Sequence, residues 1–350
     1  MPKPSTSSLR FLCFGAGAIG TYIGGSLALA GQHVVFLERP ELAPGLRERG
    51  LRIQRGGEES HVTAPQVAAS LDEALTHGPF DAALLAVKSF DTPGLLESLL
   101  PYKVALPPVI CFQNGVDNEP LLSSALGEEK VIPATVTTAI GRGQAGAIAV
   151  ERLRGIGLHA DHILSPNLEG VFNAAGLRAR LYYNAPAMKW SKMLTNLLAN
   201  ASSAILNLPP SVIFADPALF EMEMEMLREA LRVMRALKLP VIDLPGTPVR
   251  ALAFLGGSMP RWLSQPLLSQ ALGKGRGAKM PSFHIDLHAG RGTSEVDYLN
   301  GAVVRAGEKL GISTPVNRAL NATLLALTRG ELPLDTYARN PHEFLKLISA

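Results

Sequence analysis

The chain has 350 residues, 47% of them hydrophobic, with a formal net charge of +3. That length suits about two domains, each with its own core, and the 33 basic residues are too dispersed for a nucleic-acid footprint. No apolar run is long and uninterrupted enough to span a membrane, the polar Met1–Ser8 lacks the apolar core of a signal peptide, and no internal repeat is visible.

The first half alternates strand and helix patterns. Leu9–Phe14 is an apolar strand, and Ala18–Ala30 a small-residue helix able to lie close against a sheet. His33–Leu37, Ala82–Ala86 and Val109–Phe112 follow as strands, Leu71–Thr76 and Pro93–Leu100 as helices. Val131–Thr138 and Ala147–Val150 add further β-type sequence. Such alternation predicts a doubly wound, mostly parallel, Rossmann-like α/β sheet. Cys13 and Cys111, the only two cysteines, stand inside these apolar runs, the setting of buried free thiols in a reduced, cytoplasmic protein.

Composition shifts near Tyr182–Ala187, and from Met188 the periodicity is helical: Met188–Leu206, Pro217–Leu239, Phe283–Ala289, Glu295–Gly311 and Val316–Arg329. The expected division is therefore a dinucleotide-binding Rossmann domain over 1–185 and an all-helical substrate and catalytic domain over 186–350. Asp243–Lys279, rich in Pro, Gly and Leu and punctuated by Arg261, Lys274 and Arg276, reads as an insertion with two short helices.

Gly15-Ala16-Gly17-Ala18-Ile19-Gly20 is G-x-G-x-x-G at the turn from first strand to first helix. The first glycine permits the turn, the second lets a pyrophosphate approach the backbone, and the third lets helix and strand pack closely. At the end of the second strand Glu38 and Arg39 stand side by side. An acid there bonds the adenosine ribose hydroxyls of NAD, whereas an arginine accommodates the 2′-phosphate of NADP, so the choice stays open. Lys88 and Asn114 follow two later strands, on the carboxyl edge where open α/β sheets bind ligands.

Lys192, Asn196 and Asn200 are spaced i, i+4, i+8, so one helix would carry all three on one face. Amides among Met193, Leu194, Leu197 and Leu198 need partners, which fits a polar cleft lining better than a solvated row. Near the C-terminus Thr293 or Ser294 reads as a helix cap followed by the first-turn acids Glu295 and Asp297. His284 and His288 lack the intervening glutamate of H-E-x-x-H, and no metal site is expected.

Together these residues resemble the ketopantoate reductase (2-dehydropantoate 2-reductase) family over nearly the whole chain. The marks are GAGAIG, AVKSFDT, FQNGVDN, the Lys192–Asn196 pair, Ser282 and SEVDYLNG, in the family's order. The resemblance implies reduction of 2-dehydropantoate to (R)-pantoate with NADPH, in the route to pantothenate and coenzyme A. It implies Lys192 as general acid and Glu295 beside it at the catalytic centre. Asn114, Lys192, Asn196, Asn200 and Ser282 would bind substrate, while Lys88, Asn114 and Glu295 would line the cofactor and Arg39 would hold its 2′-phosphate. Glu38 departs from that pattern and leaves NADH open. Two rival readings remain: a reductase of another branched 2-oxo acid, and an NADP-binding sensor without turnover. A small 2-oxo acid is the expected partner, with homodimerisation open and neither nucleic acid nor membrane involved.

Overall fold

The computed structural model describes residues 8–276 and 279–349, so the polar N-terminal stretch lies, apart from Ser8, outside the described residues. The chain divides into two compact units. One takes the residues up to Gln113, then Asp117–Lys189 and Leu244–Thr247; the other takes Asn114–Val116, Trp190–Asp243 and the residues from Pro248 onward.

The first unit holds twelve strands: β1 (Arg10–Phe14), β2 (His33–Leu37), β3 (Leu51–Arg55), β4 (Glu58–Val62), β5 (Gln66–Ala68), β6 (Ala82–Leu85), β7 (Val109–Cys111), β8 (Val131–Val136), β9 (Ala139–Arg142), β10 (Ala147–Arg152), β11 (Ile156–His159) and β12 (Ala179–Tyr182). Eight form one sheet in the order β12-β11-β8-β7-β6-β1-β2-β5. Its neighbours are parallel except β8 and β11. The apolar strand patterns follow from burial on both faces. Along β1, Phe11 and Cys13 enter one core with Tyr22, Leu27 and Phe36. Leu12 and Phe14 enter the other with Val35, Leu85 and Leu99, as the two-residue period of a strand requires. The Rossmann-like reading of this half therefore holds.

A second sheet, β4-β3-β10-β9, has no counterpart in the sequence reading beyond part of β10. Its strand β4 is Glu-Glu-Ser-His-Val, exposed along most of its length, and carries no apolar signal. Helices of this unit are α1 (Ala18–Leu29), α2 (Ala43–Arg49), α3 (Leu71–Thr76), α4 (Thr92–Leu99), α5 (Asn118–Leu126) and α6 (Ser165–Ala174). Helix α1 lies tight between the sheets: a Cβ on Gly24 would fall 2.7 Å from the Phe36 ring of β2, and one on Gly25 2.9 Å from Ile53 of β3. Both cysteines are free and buried. Burial pushes their thiols up, with Glu38 adding to the effect at Cys13 and Glu119 at Cys111.

Helix α7 (Ala185–Leu197) carries the chain into the second unit, which continues as α8 (Ala201–Leu206), α9 (Pro210–Ala215), α10 (Pro217–Ala236), α11 (Val249–Ser258), α12 (Arg261–Arg276), α13 (Ser282–His288), α14 (Val296–Leu310), α15 (Pro315–Arg329) and α16 (Pro341–Ser349). Among the described residues it contains no strand, in keeping with the helical periodicity of the sequence. Buried Glu229 on α10 accepts the Val316 and Asn317 backbone N–H groups at 2.9 Å, supplying from another helix the cap that α15 lacks locally. The segment expected as an insertion forms α11 and α12; Gly277 and Ala278 lie outside the described residues.

The single helix expected over Met188–Leu206 is instead two. Ala199 adopts φ 49°, a left-handed conformation that ends α7. Glu223 of α10, fully buried, accepts the Ala199 N–H at 2.7 Å and the Ser202 hydroxyl at 2.5 Å. A carboxylate on another helix thus satisfies the donors that the break exposes.

Candidate active site

In the first unit, the turn after β1 is built as its glycines suggest. Gly15 has φ +86°, and its N–H donates to the Leu37 carbonyl at 2.9 Å. A Cβ on Gly20 would stand 2.0 Å from the Gly15 carbonyl oxygen. These two glycines are required by the protein's own packing. Gly17 is different: its backbone is ordinary extended chain, and a Cβ there would meet nothing within 4 Å. Its open, exposed face leaves room for a ligand to approach the main chain, as a pyrophosphate does in dinucleotide sites.

Helix α1 begins at Ala18 with no side-chain cap and no acid in its first turn, so its N-terminal N–H groups and dipole suit an anion. The strand order sets β1 between β6 and β2, the point where winding reverses and where open α/β sheets bind ligands. Gly15, Ala16, Gly17, Ala18, Ile19 and Gly20 therefore fit the diphosphate of a nicotinamide dinucleotide. Lys88, half-buried, leads from β6 into a short turn at Ser89–Asp91. That turn is pinned by Gln113, whose amide donates to the Val87 carbonyl at 3.1 Å and to Thr92 Oγ1 at 2.7 Å.

At the end of β2 the two candidate selectors part ways. Glu38 turns inward, accepting the Ala16 N–H at 2.8 Å. The Arg39 side chain is 72% exposed against 11% for Glu38, with its Nε 3.9 Å from Glu38 Oε1 and 3.7 Å from Glu41 Oε1.

In the second unit, a hydrogen-bonded run joins several of the expected substrate residues. Asn196 of α7 donates from Nδ2 to Asn114 Oδ1 at 2.9 Å. Asn200 donates from Nδ2 to the Asn196 carbonyl at 3.2 Å, and its Oδ1 accepts the Phe283 N–H at 3.2 Å. Ser282, exposed, opens α13 beside that contact. Asn114 is half-buried, and Gly115 after it packs on the first turn of α14, where a Cβ would fall 2.6 Å from the Tyr298 carbonyl oxygen. Lys192, partly buried, stands one turn before Asn196 on α7, so those two share a face.

Two expectations need correction. Asn200 does not lie on the helix of Lys192 and Asn196; it leads into α8 after the break, and hydrogen bonding rather than helical spacing keeps it beside Asn196. Glu295 precedes the first turn of α14 instead of standing in it: it is 4% exposed and sits at the N-cap position without capping the helix. Ser294 Oγ instead accepts the Val296 N–H at 3.2 Å, and the helical acid Asp297 pairs with Arg305 at 3.0 Å. Lys189, one turn from Lys192 in sequence, belongs to the first unit and is 5% exposed. Its Nζ lies 2.6 Å from Glu119 Oε1, close but not aligned as a hydrogen bond, and donates to the Gln113 carbonyl at 2.5 Å. It is a buried structural cation.

His284 donates from Nε2 to Asn207 Oδ1 at 2.8 Å, in the tautomer that bond requires. Burial, with His288 nearby, lowers its pKa to about 4. Glu223, which organises the break between Asn196 and Asn200, carries no signal in the sequence, because it acts on residues more than twenty positions away.

Two family models match the chain in succession. "Ketopantoate reductase PanE/ApbA" covers residues 11–158, and "Ketopantoate reductase PanE/ApbA C terminal" covers 184–328. A 2-dehydropantoate 2-reductase of Pyrobaculum aerophilum is 30% identical over 238 residues, 68% of this chain and 73% of the relative. The chain belongs to the ketopantoate reductase family. This is a family of nicotinamide-dinucleotide-dependent reductases. Its member from Ralstonia eutropha JMP134 has a crystal structure that superposes with a TM-score of 0.77 at 27% identity, covering 92% of this chain and 99% of that one. A D-mandelate dehydrogenase in ternary complex with NADH and anilino(oxo)acetate shares the fold, with a TM-score of 0.75 at 20% identity over 93% and 99% of the two chains. No helix among the described residues is long and apolar enough to cross a membrane.

Proposed function

We propose that this chain reduces the ketone of a small branched 2-oxo acid, 2-dehydropantoate, to (R)-pantoate, as a cytoplasmic step towards pantothenate and coenzyme A. The observation that carries the reading is the run Asn114–Asn196–Asn200 ending beside Ser282, with Lys192 one turn back on the face of Asn196. Four polar side chains with a cation beside them suit a small acid that presents a carboxylate and a carbonyl.

A nicotinamide dinucleotide bound at the glycine turn supplies the hydride. As negative charge grows on the substrate oxygen, the Lys192 ammonium stabilises it and delivers the proton, acting as general acid. Buried Glu295 holds Lys192 in orientation. Asn196 and Asn200 bind the substrate's polar groups, Ser282 its carboxylate, and Asn114 places the substrate and the reacting end of the dinucleotide. Lys88 contributes positive charge at the carboxyl edge of the sheet. NADPH is the form that the family resemblance implies; Glu38 and Arg39 decide whether this chain keeps it.

Purified protein given 2-dehydropantoate with NADPH, and separately with NADH, is expected to oxidise at least one of them. Oxidation of neither overturns the reading, and oxidation only with another branched 2-oxo acid reassigns the substrate. Lys192→Ala is expected to lose at least about 100-fold in kcat, the scale of general acid catalysis, with its melting temperature unchanged. Near-normal turnover would remove Lys192 from the chemistry.

A further inference from the structure

We infer that Glu38 makes this chain an NADH-preferring enzyme by engaging the two ribose hydroxyls of the adenosine end and repelling a 2′-phosphate. The inference rests on the dinucleotide reading of the glycine turn, and it concerns selection within that reading.

The Glu38 carboxylate is fixed before any ligand arrives. Its Oε2 accepts the Ala16 N–H at 2.8 Å and its Oε1 accepts the Arg39 N–H at 3.0 Å. A carboxylate has about four acceptor positions, so each oxygen keeps one. Two free acceptor positions on one rigid group match the two donors of a vicinal diol. A 2′-phosphate inverts this match: it brings about −1.5 to −2 charges and only acceptor oxygens to a group that can only accept. Like charges set against each other in this way are strongly unfavourable.

The neighbouring residues leave little to offset that repulsion. The Arg39 guanidinium extends into solvent and faces the carboxylates of both Glu38 and Glu41. The Arg39 N–H is already donated to Glu38, and Pro40 has no backbone N–H to offer. Together Glu38, Arg39 and Glu41 carry one net negative charge.

The test is equilibrium binding, read by titration calorimetry or reduced-nicotinamide fluorescence and needing no substrate. Wild-type protein is expected to bind NADH at least about 100-fold more tightly than NADPH, roughly 2.7 kcal/mol. Glu38→Gln keeps the shape but not the charge, and is expected to tighten NADPH binding by about 10-fold or more while weakening NADH. Arg39→Ala is expected to leave the NADPH dissociation constant within about threefold, and serves as an independent arm should Glu38→Gln fold poorly. Tighter wild-type binding of NADPH, an unchanged preference in Glu38→Gln, or a selective loss of NADPH binding in Arg39→Ala would each overturn the inference. Failure to bind either dinucleotide overturns it together with the reductase reading. Selective NADH binding sustains it even if no 2-oxo acid is turned over.

Discussion

Replacing Glu223 probes a contact that shapes, from another helix, the break between Asn196 and Asn200. The carboxylate is fully buried and accepts the Ala199 N–H and the Ser202 hydroxyl. Ala199 sits at φ 49°, a conformation that costs an ordinary residue about 1–3 kcal/mol and persists only while its N–H has a partner. Hydrogen bonds to a charged acceptor contribute about 1.5–3 kcal/mol each. Glu223→Ala removes both and strands a buried N–H, so a loss of about 3–5 kcal/mol is expected, against a typical total of about 5–15 kcal/mol. At about 2–4 °C per kcal/mol for a domain of this size, Tm should fall by roughly 6–20 °C. Glu223→Gln can still accept from Ala199 and donate to Ser202 Oγ, and should cost only about 1–2 kcal/mol. Thermal and urea unfolding followed by circular dichroism measures both variants, and hydrogen exchange at the Ala199 amide reports the site itself. An alanine variant melting within about 1 °C of wild type would refute the reasoning, as would a glutamine variant no better than alanine.

Three further outcomes follow from the same geometry. Gly17→Ala meets no neighbour and should leave Tm nearly unchanged while weakening dinucleotide binding about 10-fold or more; Gly20→Ala, facing the Gly15 carbonyl at 2.0 Å, should instead lower Tm sharply. Lys189→Met leaves the Glu119 carboxylate in a buried site without its cation and is expected to cost about 3–5 kcal/mol, measured by urea denaturation, whereas Lys192→Met should be stable but inactive. His284 stays neutral in the folded chain down to about pH 4 but has an ordinary value of 6.5 when unfolded. Between those limits the unfolded state binds more protons, so stability is lost as pH falls through that window. His284→Gln should therefore show a smaller drop in Tm between pH 7 and pH 4.5 than wild type; an equal drop would remove His284 from the acid sensitivity.

Much of the fold was legible because its causes are local. Strand His33–Leu37 and helix Leu71–Thr76 occur where the sequence places them. The strand is a short apolar run, and Ser70 accepts the Glu73 N–H to start the helix. The break at Ala199 was illegible because nothing near it demands one; its partner Glu223 is brought there by tertiary packing. The second sheet was illegible because β4 is a polar edge strand whose only evidence is pairing with β3. At the candidate site, the sequence put Asn196 and Asn200 on one stripe with Lys192 and left Asn114 and Ser282 apart from it. Sequence spacing could not reveal that a three-residue excursion, Asn114–Val116, joins the helical unit to complete their run. Glu38 and Arg39 were visible side by side, but only the inward turn of Glu38 distinguishes them.

Helix α1 has a consequence for anyone wishing to alter the cofactor. With Phe36 against Gly24 and Ile53 against Gly25, the helix has no slack on either flank, and the turn at its head inherits its position from both sheets. Larger residues along it would distort the glycine turn at its head. The loop after β2 is tied to that turn through the Glu38 carboxylate, which accepts the Ala16 N–H. Residues 39–41 are exposed, so under the proposed reading exchanging one dinucleotide for the other is an edit of a few positions in this loop, provided that the residue at 38 still accepts the Ala16 N–H.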